Sequence, residues 1–413
     1  MAPQQLSWSS LPDELLSVII QKLIDSDDIL NCAVCAAVCS SWQSVVKDLY
    51  HQIRPNLPPL LLRNLNENCV NRQSCTFFNP KTKKFREIPL PEVKGRWVSC
   101  SSHGWLLTVS CLDETQNMFL LHPFTRSQVK LPPPPPGTQL QFLNGLRVIT
   151  STSPLDPDCL VLASLYVSSK LAFCKPGDRN WTSIVHDQSI RFTNTSAHFY
   201  DGRNCCKVKS GSGIKRYRTP DPIAIHSFDV CRSRGPLFYK GYFYCLGSCN
   251  FIFRIRFDHP HAPTAEAMPF KPHEFCCNAR YNYLVELNSD LFIVSRFLIP
   301  HKSYPCELTC AFIVCKLDLE TEKWIMVNNI GNNAVLLGEN NSTTCVVSSD
   351  GEDNYFGANC IYFVDDMYPR DIGVYYMTLQ CIQRPRRPLQ CIQRPRRPLP
   401  LWTTSTSLNW LQV

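Results

Sequence analysis

Several absences limit what this 413-residue chain can be. No apolar run reaches the ~18 residues of a membrane-spanning helix. The longest candidate, residues 291–299, is broken by Arg296. No positively charged, apolar, small-residue leader opens the sequence, which predicts an intracellular protein of nucleus or cytoplasm. The glycine turn Ser210-Gly211-Ser212-Gly213 lacks the spacing that cradles a nucleotide phosphate, and no Gly-x-Ser-x-Gly elbow occurs. Asp365 and Asp366 are adjacent, and on a strand such neighbours point to opposite faces, so they cannot share one substrate. The reading is therefore of a chain with no catalysis and no cofactor of its own.

Charge is less telling than it looks. The formal net charge is +8. Six arginines crowd the tail (Arg384, Arg386, Arg387, Arg394, Arg396 and Arg397), and no acid follows Asp371. The rest of the chain is nearly neutral, so no specific nucleic acid and no membrane is expected as a partner. The 23 cysteines read as reduced, mostly buried thiols. Cys32, Cys35 and Cys39 fall where helices need small residues, and read as packing. His259, His261, His273, Cys276 and Cys277 form a denser group, but proline and adjacent cysteines make a tetrahedral cage awkward. No metal is expected.

What is present begins with residues 7–50, three short helices with clear punctuation. Leu11-Pro12-Asp13-Glu14 opens the first, with proline suited to the first helical position and acids at the positive end of the dipole. Leu15, Leu16, Ile19, Ile20 and Leu23 then recur at helical spacing. Asp25-Ser26-Asp27 breaks the run before a second helix carrying Ile29, Leu30, Ala33, Val34 and Ala37. Ser40 reads as the N-cap of a third, carrying Trp42, Val45, Val46 and Leu49. A module this small cannot bury so much apolar surface alone, so a partner is the physical expectation.

Leu11-Pro12-x-Glu14-Leu15-Leu16 and Val38-Cys39-Ser40-Ser41-Trp42 together resemble an F-box. Gln43 departs from the arginine frequent at its place in plant F-boxes. The resemblance implies docking on a Skp-type adaptor and, through it, on a cullin–RING ubiquitin ligase. It assigns that contact, or the shape behind it, to Leu11, Pro12, Glu14, Leu15, Leu16, Ile19, Leu30, Val38, Cys39 and Trp42.

Beyond residue 50 a proline-containing linker, 51–64, leads into a different periodicity. An apolar strand, a polar turn and a second strand recur at Phe77-Phe78-Asn79-Pro80-Lys81-Thr82-Lys83-Lys84-Phe85 and at Leu120-Leu121-His122-Pro123-Phe124-Thr125-Arg126-Ser127-Gln128-Val129. They recur again at 317–324 and, more loosely, at 173–181. Hairpins are predicted at 97–109, 158–173 and 235–257, and at 281–297 turning on Asn288-Ser289-Asp290. The first two modules lie close to the ~40–50-residue period of propeller blades. The fold class is thus mainly β with a small N-terminal α module: a three-helix F-box followed by an atypical β-propeller of about six to eight blades. Residues 316–324 and 357–366 resemble the plant F-box family with a KIB-type propeller, while the paired glycines of kelch repeats are absent.

The expected division is 1–50 F-box, 51–64 linker, 65–378 propeller, 379–398 a duplicated Arg/Pro-rich loop, and 399–413 a closing strand with the tail. The duplication is LQCIQRPRRP, repeated without change, and is expected to be extruded from the sheet. Residues 201–222 form a long basic stretch with Arg203, Lys207, Lys209, Lys215, Arg216 and Arg218, the candidate substrate-binding loop. The functional expectation is a substrate receptor of an SCF-type ligase holding an unknown protein target. The alternatives are a propeller scaffold that binds the adaptor without delivering targets, and a propeller hydrolase carrying an F-box.

Overall fold

The first helix, α1 (Asp13–Ser26), starts where a proline is followed by two acids. The Leu16 amide donates to the Pro12 carbonyl at 3.0 Å, so Pro12 stands just ahead of the helix and not at its first position. The second helix, α2 (Asn31–Cys35), is shorter than the apolar pattern of 29–37 implies. Its end unwinds through tight turns, with Ala37 donating to the Val34 carbonyl and Val38 to that of Cys35, each at 3.1 Å. The third helix is α3 (Ser40–Ile53). Gln43 donates to the Cys39 carbonyl at 2.9 Å, which puts Cys39 at the capping place expected of Ser40.

This architecture comes from a computed structural model that describes residues 8–26, 29–53, 59–65, 69–79, 84–112, 116–134, 146–165, 170–186, 235–246, 252–257, 264–268, 279–300, 307–318, 320–321, 323–338, 342–347, 356–364, 371–384 and 406–411. The basic stretch 201–222, the His259–His261–His273–Cys276–Cys277 group, Asp365 with Asp366, and the second repeat copy lie outside the described residues.

Among the described residues the strands form six sheets, the blades of a propeller. Blade 1 holds β1 (Leu60–Leu65), β2 (Ser74–Asn79) and β3 (Lys84–Pro89). Blade 2 holds β4 (Arg96–Ser102), β5 (Trp105–Ser110), β6 (Met118–Leu121) and β7 (Gln128–Leu131). Blade 3 holds β8 (Leu146–Thr150), β9 (Val161–Leu165), β10 (Lys170–Cys174) and β11 (Thr182–Ser183).

The chain then lends the short β12 (Val185–His186) to the outer edge of blade 4, parallel to β16 (Thr264–Ala267). That blade is completed by β13 (Leu237–Tyr239), β14 (Tyr242–Leu246) and β15 (Ile252–Arg256). Blade 5 holds β17 (Tyr281–Leu287), β18 (Asp290–Pro300), β19 (Glu307–Asp318) and β20 (Lys323–Val327). Blade 6 holds β21 (Asn333–Leu337), β22 (Ser342–Val346), β23 (Cys360–Val364), β24 (Ile372–Tyr376) and β25 (Cys381–Gln383).

Two corrections to the sequence reading follow. Strand β1 opens inside the stretch read as linker, while α3 runs past residue 50. The first repeat copy is not wholly extruded, because its Cys381, Ile382 and Gln383 pair with Tyr376, Tyr375 and Val374 as the outer strand of blade 6. The arginines and prolines that bar a sheet come only after this apolar-polar start.

The ring is closed by the chain's far end. Strand β26 (Thr406–Leu411) pairs antiparallel with β1, from Leu60 opposite Leu411 to Leu65 opposite Thr406, and completes blade 1. Strands β26, β4, β8, β13, β17 and β22 are the innermost of their blades and meet in turn around the axis. Hydroxyls bridge neighbours where no ladder can form. Ser99 Oγ donates to the Leu146 carbonyl at 2.7 Å, and Thr344 Oγ1 to that of Glu286 at 3.0 Å. Three inner hairpins turn on paired positive-φ residues: His103-Gly104, Lys240-Gly241 and Asn288-Ser289. That backbone matches the right-handed twist of the flanking strands.

Blades 5 and 6 are pinned by a buried charge. Arg296, the residue that interrupts the longest apolar run, is 1% exposed. Its Nη2 donates to Asp371 Oδ2 at 3.1 Å, its Nε to Thr309 Oγ1 at 2.7 Å, and its guanidinium lies 5.0 Å from the Phe363 ring centre. Asp371 also accepts from the Thr309 amide at 2.5 Å, from the Thr309 hydroxyl, and from Arg384 Nη2 at 3.1 Å. Burial raises the Asp371 pKa, but the Thr309 hydrogen bonds and the two guanidiniums outweigh it and hold the carboxyl below its usual range.

Asp371→Asn should lower unfolding free energy at neutral pH by about 3–5 kcal/mol, since it strands a buried guanidinium. The Asp371 contribution is fully present above the unfolded carboxyl pKa of about 3.9 and is lost as pH falls through the depressed folded value. The gap between wild type and variant in denaturant melts should therefore narrow below about pH 4; a gap of constant size would show that the charge is irrelevant.

Candidate functional site

The F-box residues divide by burial into two sets. Leu16 and Leu30 are wholly buried and Trp42 nearly so, with the Trp42 indole donating to the Trp8 carbonyl at 3.1 Å. They pack in one cluster with Ile20, Ala33, Val45 and Val46, against which Leu11, Ile19 and Cys39 lie half-buried. These side chains set the module's shape. Pro12, Glu14, Leu15 and Val38 face solvent, Leu15 and Val38 being 53% exposed each.

The docking assignment made from sequence left out four further exposed apolar residues: Trp8 and Val18 (54%), which the sequence reading passed over, and Leu23 and Val34, which it read only as apolar helix positions. The signal was available for α1. At 100° per residue Leu15, Val18, Ile19 and Leu23 fall on one arc of α1, centred about 105° from the midpoint between the buried Leu16 and Ile20. A helix with apolar residues on both arcs has more to cover than one core.

One of the two arcs is covered by the chain itself. The cluster that holds the helices also contains Leu60, Leu62, Phe77, Ile88, Leu90, Val93, Val98, Leu106, Leu121 and Phe124 of blades 1 and 2. The missing apolar surface that argued for an outside partner is thus supplied in part by the propeller. The seat is the turn His122-Pro123-Phe124-Thr125-Arg126, which the sequence reading took only as a repeat turn. Its residues His122, Phe124, Thr125 and Arg126 are buried, an unusual state for a turn, and Tyr50 of α3 lies edge-on to His122 at 4.6 Å and stacked on Phe124 at 5.9 Å.

Arg126 ties the seat together. Held at φ 58°, it sends Nε to the Ala33 carbonyl of α2 at 3.2 Å and Nη2 to the Pro89 carbonyl of β3 at 2.5 Å. Nη1 forks onto both Glu92 oxygens at 2.7 and 3.0 Å. Gln43 adds a bond from Nε2 to the Thr125 carbonyl at 3.0 Å. The side chain that departs from the frequent plant pattern therefore points at the propeller.

The thiols on this module pack and do not cluster. Cys32 and Cys35 are buried in the shared core, and the Cys35 thiol is raised by burial. Elsewhere burial lifts Cys75 and Cys100 to about 11 and Cys245 to about 12, which keeps them protonated and inert at neutral pH.

Arg126→Ala should cost about 3–5 kcal/mol, because Glu92 and two buried carbonyls lose their donor at once. Calorimetry should show the single melting transition of the wild type split into two, as the helices release from the propeller. Retention of one transition at an unchanged temperature would show that the seat does not couple them.

The chain matches the F-box-like family over residues 8–56 and the KIB1-4 beta-propeller family over residues 77–376. Among its relatives in Arabidopsis thaliana, At5g55150 is 25% identical over 386 residues, covering 88% of this chain and 87% of that one. The F-box protein At2g26160 is 24% identical over 369 residues, covering 87% and 96%. The crystal structure of a protein from Lactobacillus plantarum is similar at a TM-score of 0.38 and 11% identity, over 79% of this chain and 94% of that one. With an F-box seated on six blades and a family match across most of its length, the chain belongs to the plant F-box proteins that carry a KIB1-4 β-propeller.

Proposed function

We propose that this chain is the target-recognition subunit of an SCF-type ubiquitin ligase, acting in the nucleus or cytoplasm and transferring no ubiquitin itself. The observation that carries the reading is the exposed apolar arc of α1 together with Val38, left open on a module whose buried side chains share a core with blades 1 and 2. Covering a side chain such as Leu15 or Val18 is worth about 1.5–3 kcal/mol when burial is complete. A Skp-type adaptor bound there would hold the propeller in one orientation, because the helices and blades 1 and 2 share a core. The receptor then works by proximity, raising the effective concentration of target lysines at the conjugating enzyme. The target itself is held by propeller loops, with the basic stretch of Arg203, Lys207, Lys209, Lys215, Arg216 and Arg218 as the candidate.

Surface and core variants separate contact from shape. Leu15→Asp and Val38→Asp should weaken adaptor binding more than tenfold in titration calorimetry while leaving the melting temperature within a few degrees. Leu16→Ala should instead cost about 2–5 kcal/mol of stability, with adaptor affinity per folded molecule little changed. Full affinity in both surface variants would remove the basis of the proposal.

Target delivery is tested in a second assay. Proteins that co-purify under proteasome inhibition are offered to a reconstituted ligase from which subunits are omitted one at a time. Ubiquitin transfer should need adaptor, cullin and RING subunit together with this chain. Adaptor binding without transfer to any co-purified protein would favour the scaffold reading, and transfer by the isolated chain would overturn both.

A further inference from the structure

Blades 4 and 6 each carry a fifth strand at the outer edge. In blade 4, β12 lies against β16, and in blade 6, β25 lies against β24. Blade 5 stands between them and stops at four, so β20 is its outer edge. Among the described residues the backbone of β20 pairs with β19 alone, from Val327 opposite Val314 to Lys323 opposite Asp318. Alternate N–H and C=O groups of such an edge point outward with no partner strand.

Side chains separate this edge from the other bare ones. Ile325 and Met326 are each 49% exposed. The outer strands β3, β7 and β11 instead expose Lys84, Glu87 and Pro89, Gln128 and Lys130, and Ser183. Charge and proline are the ordinary guards of an edge against pairing. Strand β20 has a single charge of its own, Lys323 at its start.

Neither neighbouring blade can cover both apolar side chains. Successive strand residues point to opposite faces. Trp324 packs into the cluster that joins blades 4 and 5, and Val327 against the one that joins blades 5 and 6. Met326 therefore lies on the blade 4 side of the edge and Ile325 on the blade 6 side. A strand laid along the edge meets both.

We infer that β20 receives an extended segment of the target protein as the fifth strand of blade 5, an inference that rests on the receptor function proposed for the chain. In such strand addition the main chain supplies affinity and alternate side chains supply specificity. The segment carries apolar residues at adjacent positions, one against Ile325 and one against Met326. The turn into β20 holds Asp318 and Glu320, while Lys316, across from Ile325, is already paired with Asp290 at 2.5 Å. The segment is accordingly basic where it passes that turn. Five residues of edge span about 17 Å, so a short unfolded stretch of target is enough.

The test starts from random peptides displayed on phage and selected against the full chain. Each selected peptide is then titrated against the wild type and against the double variant Ile325→Lys/Met326→Lys. Both side chains are half exposed, so the variant should melt within a few degrees of the wild type and bind adaptor unchanged, which separates a lost edge from a lost F-box. Peptides with adjacent apolar residues and a nearby basic one should lose at least tenfold in affinity for the variant. N-methylation of alternate peptide bonds should abolish their binding in one register and spare it in the other, which side-chain contact alone would not produce. Such a peptide, fused to a lysine-bearing carrier, should direct ubiquitin to the carrier in the reconstituted ligase. Edge binding without transfer upholds the edge and counts against the ligase reading. A panel in which no peptide discriminates the variant overturns the inference. A wild-type dimer that the variant dissolves overturns it too, because a second copy would then fill the edge.

Discussion

The guanidinium of Arg126 is buried in a turn, and much of the molecule's geometry follows from how it is satisfied. Its donors reach a carbonyl in the helical module, a carbonyl at the end of blade 1 and a carboxylate between blades 1 and 2. None of those three acceptors can move without stranding a buried charge, which is a costly state in a low-dielectric interior. The F-box is therefore carried at a fixed angle and not on a flexible tether. A receptor that works by proximity gains from such stiffness, because a target held at a defined distance is presented more often than one swept through a large volume.

Much of the fold was legible because its signals are local. The strand–turn–strand modules around Asn79, Asp318 and Asp178 are all hairpins, and Asp318 shows why the pattern is readable. Its carboxylate accepts from the Glu320 and Thr321 amides, so the turn is encoded within four residues. The turn at Asn288-Ser289 is equally local, both residues standing at positive φ. The F-box helices were equally plain from apolar spacing, although the starts of α1 and α3 each lie one residue from where the caps were read.

What stayed hidden depends on long-range packing. Nothing local distinguishes Arg126 in the second module from a solvated turn arginine, since its acceptors lie far away in sequence at Ala33, Pro89 and Glu92. The same holds for Arg296, whose partner Asp371 is remote, and for β25. There the arginines and prolines outweighed three residues that suit a strand edge. The exposed arc of α1 was half seen: Leu15, Ile19 and Leu23 were read on one apolar face with Leu16 and Ile20, and Val18 was passed over, when the helix has two such faces.

The pairing of β1 with β26 joins the first strand of the propeller to the strand latest in the sequence among those described, from Leu60 opposite Leu411 to Leu65 opposite Thr406. During synthesis this sets an order of events. The helices and blades 1 and 2 share a core built wholly from residues before 125, so they can collapse while later blades are still being made. The inner edge of blade 1 must then wait, unpaired, until β26 has been made. A contact of that sequence separation is slow to form, and an open strand edge is a surface for misassembly in the meantime. The nascent chain thus has its docking helices in place well before the ring closes, and a chaperone that shields one strand edge would protect the whole interval.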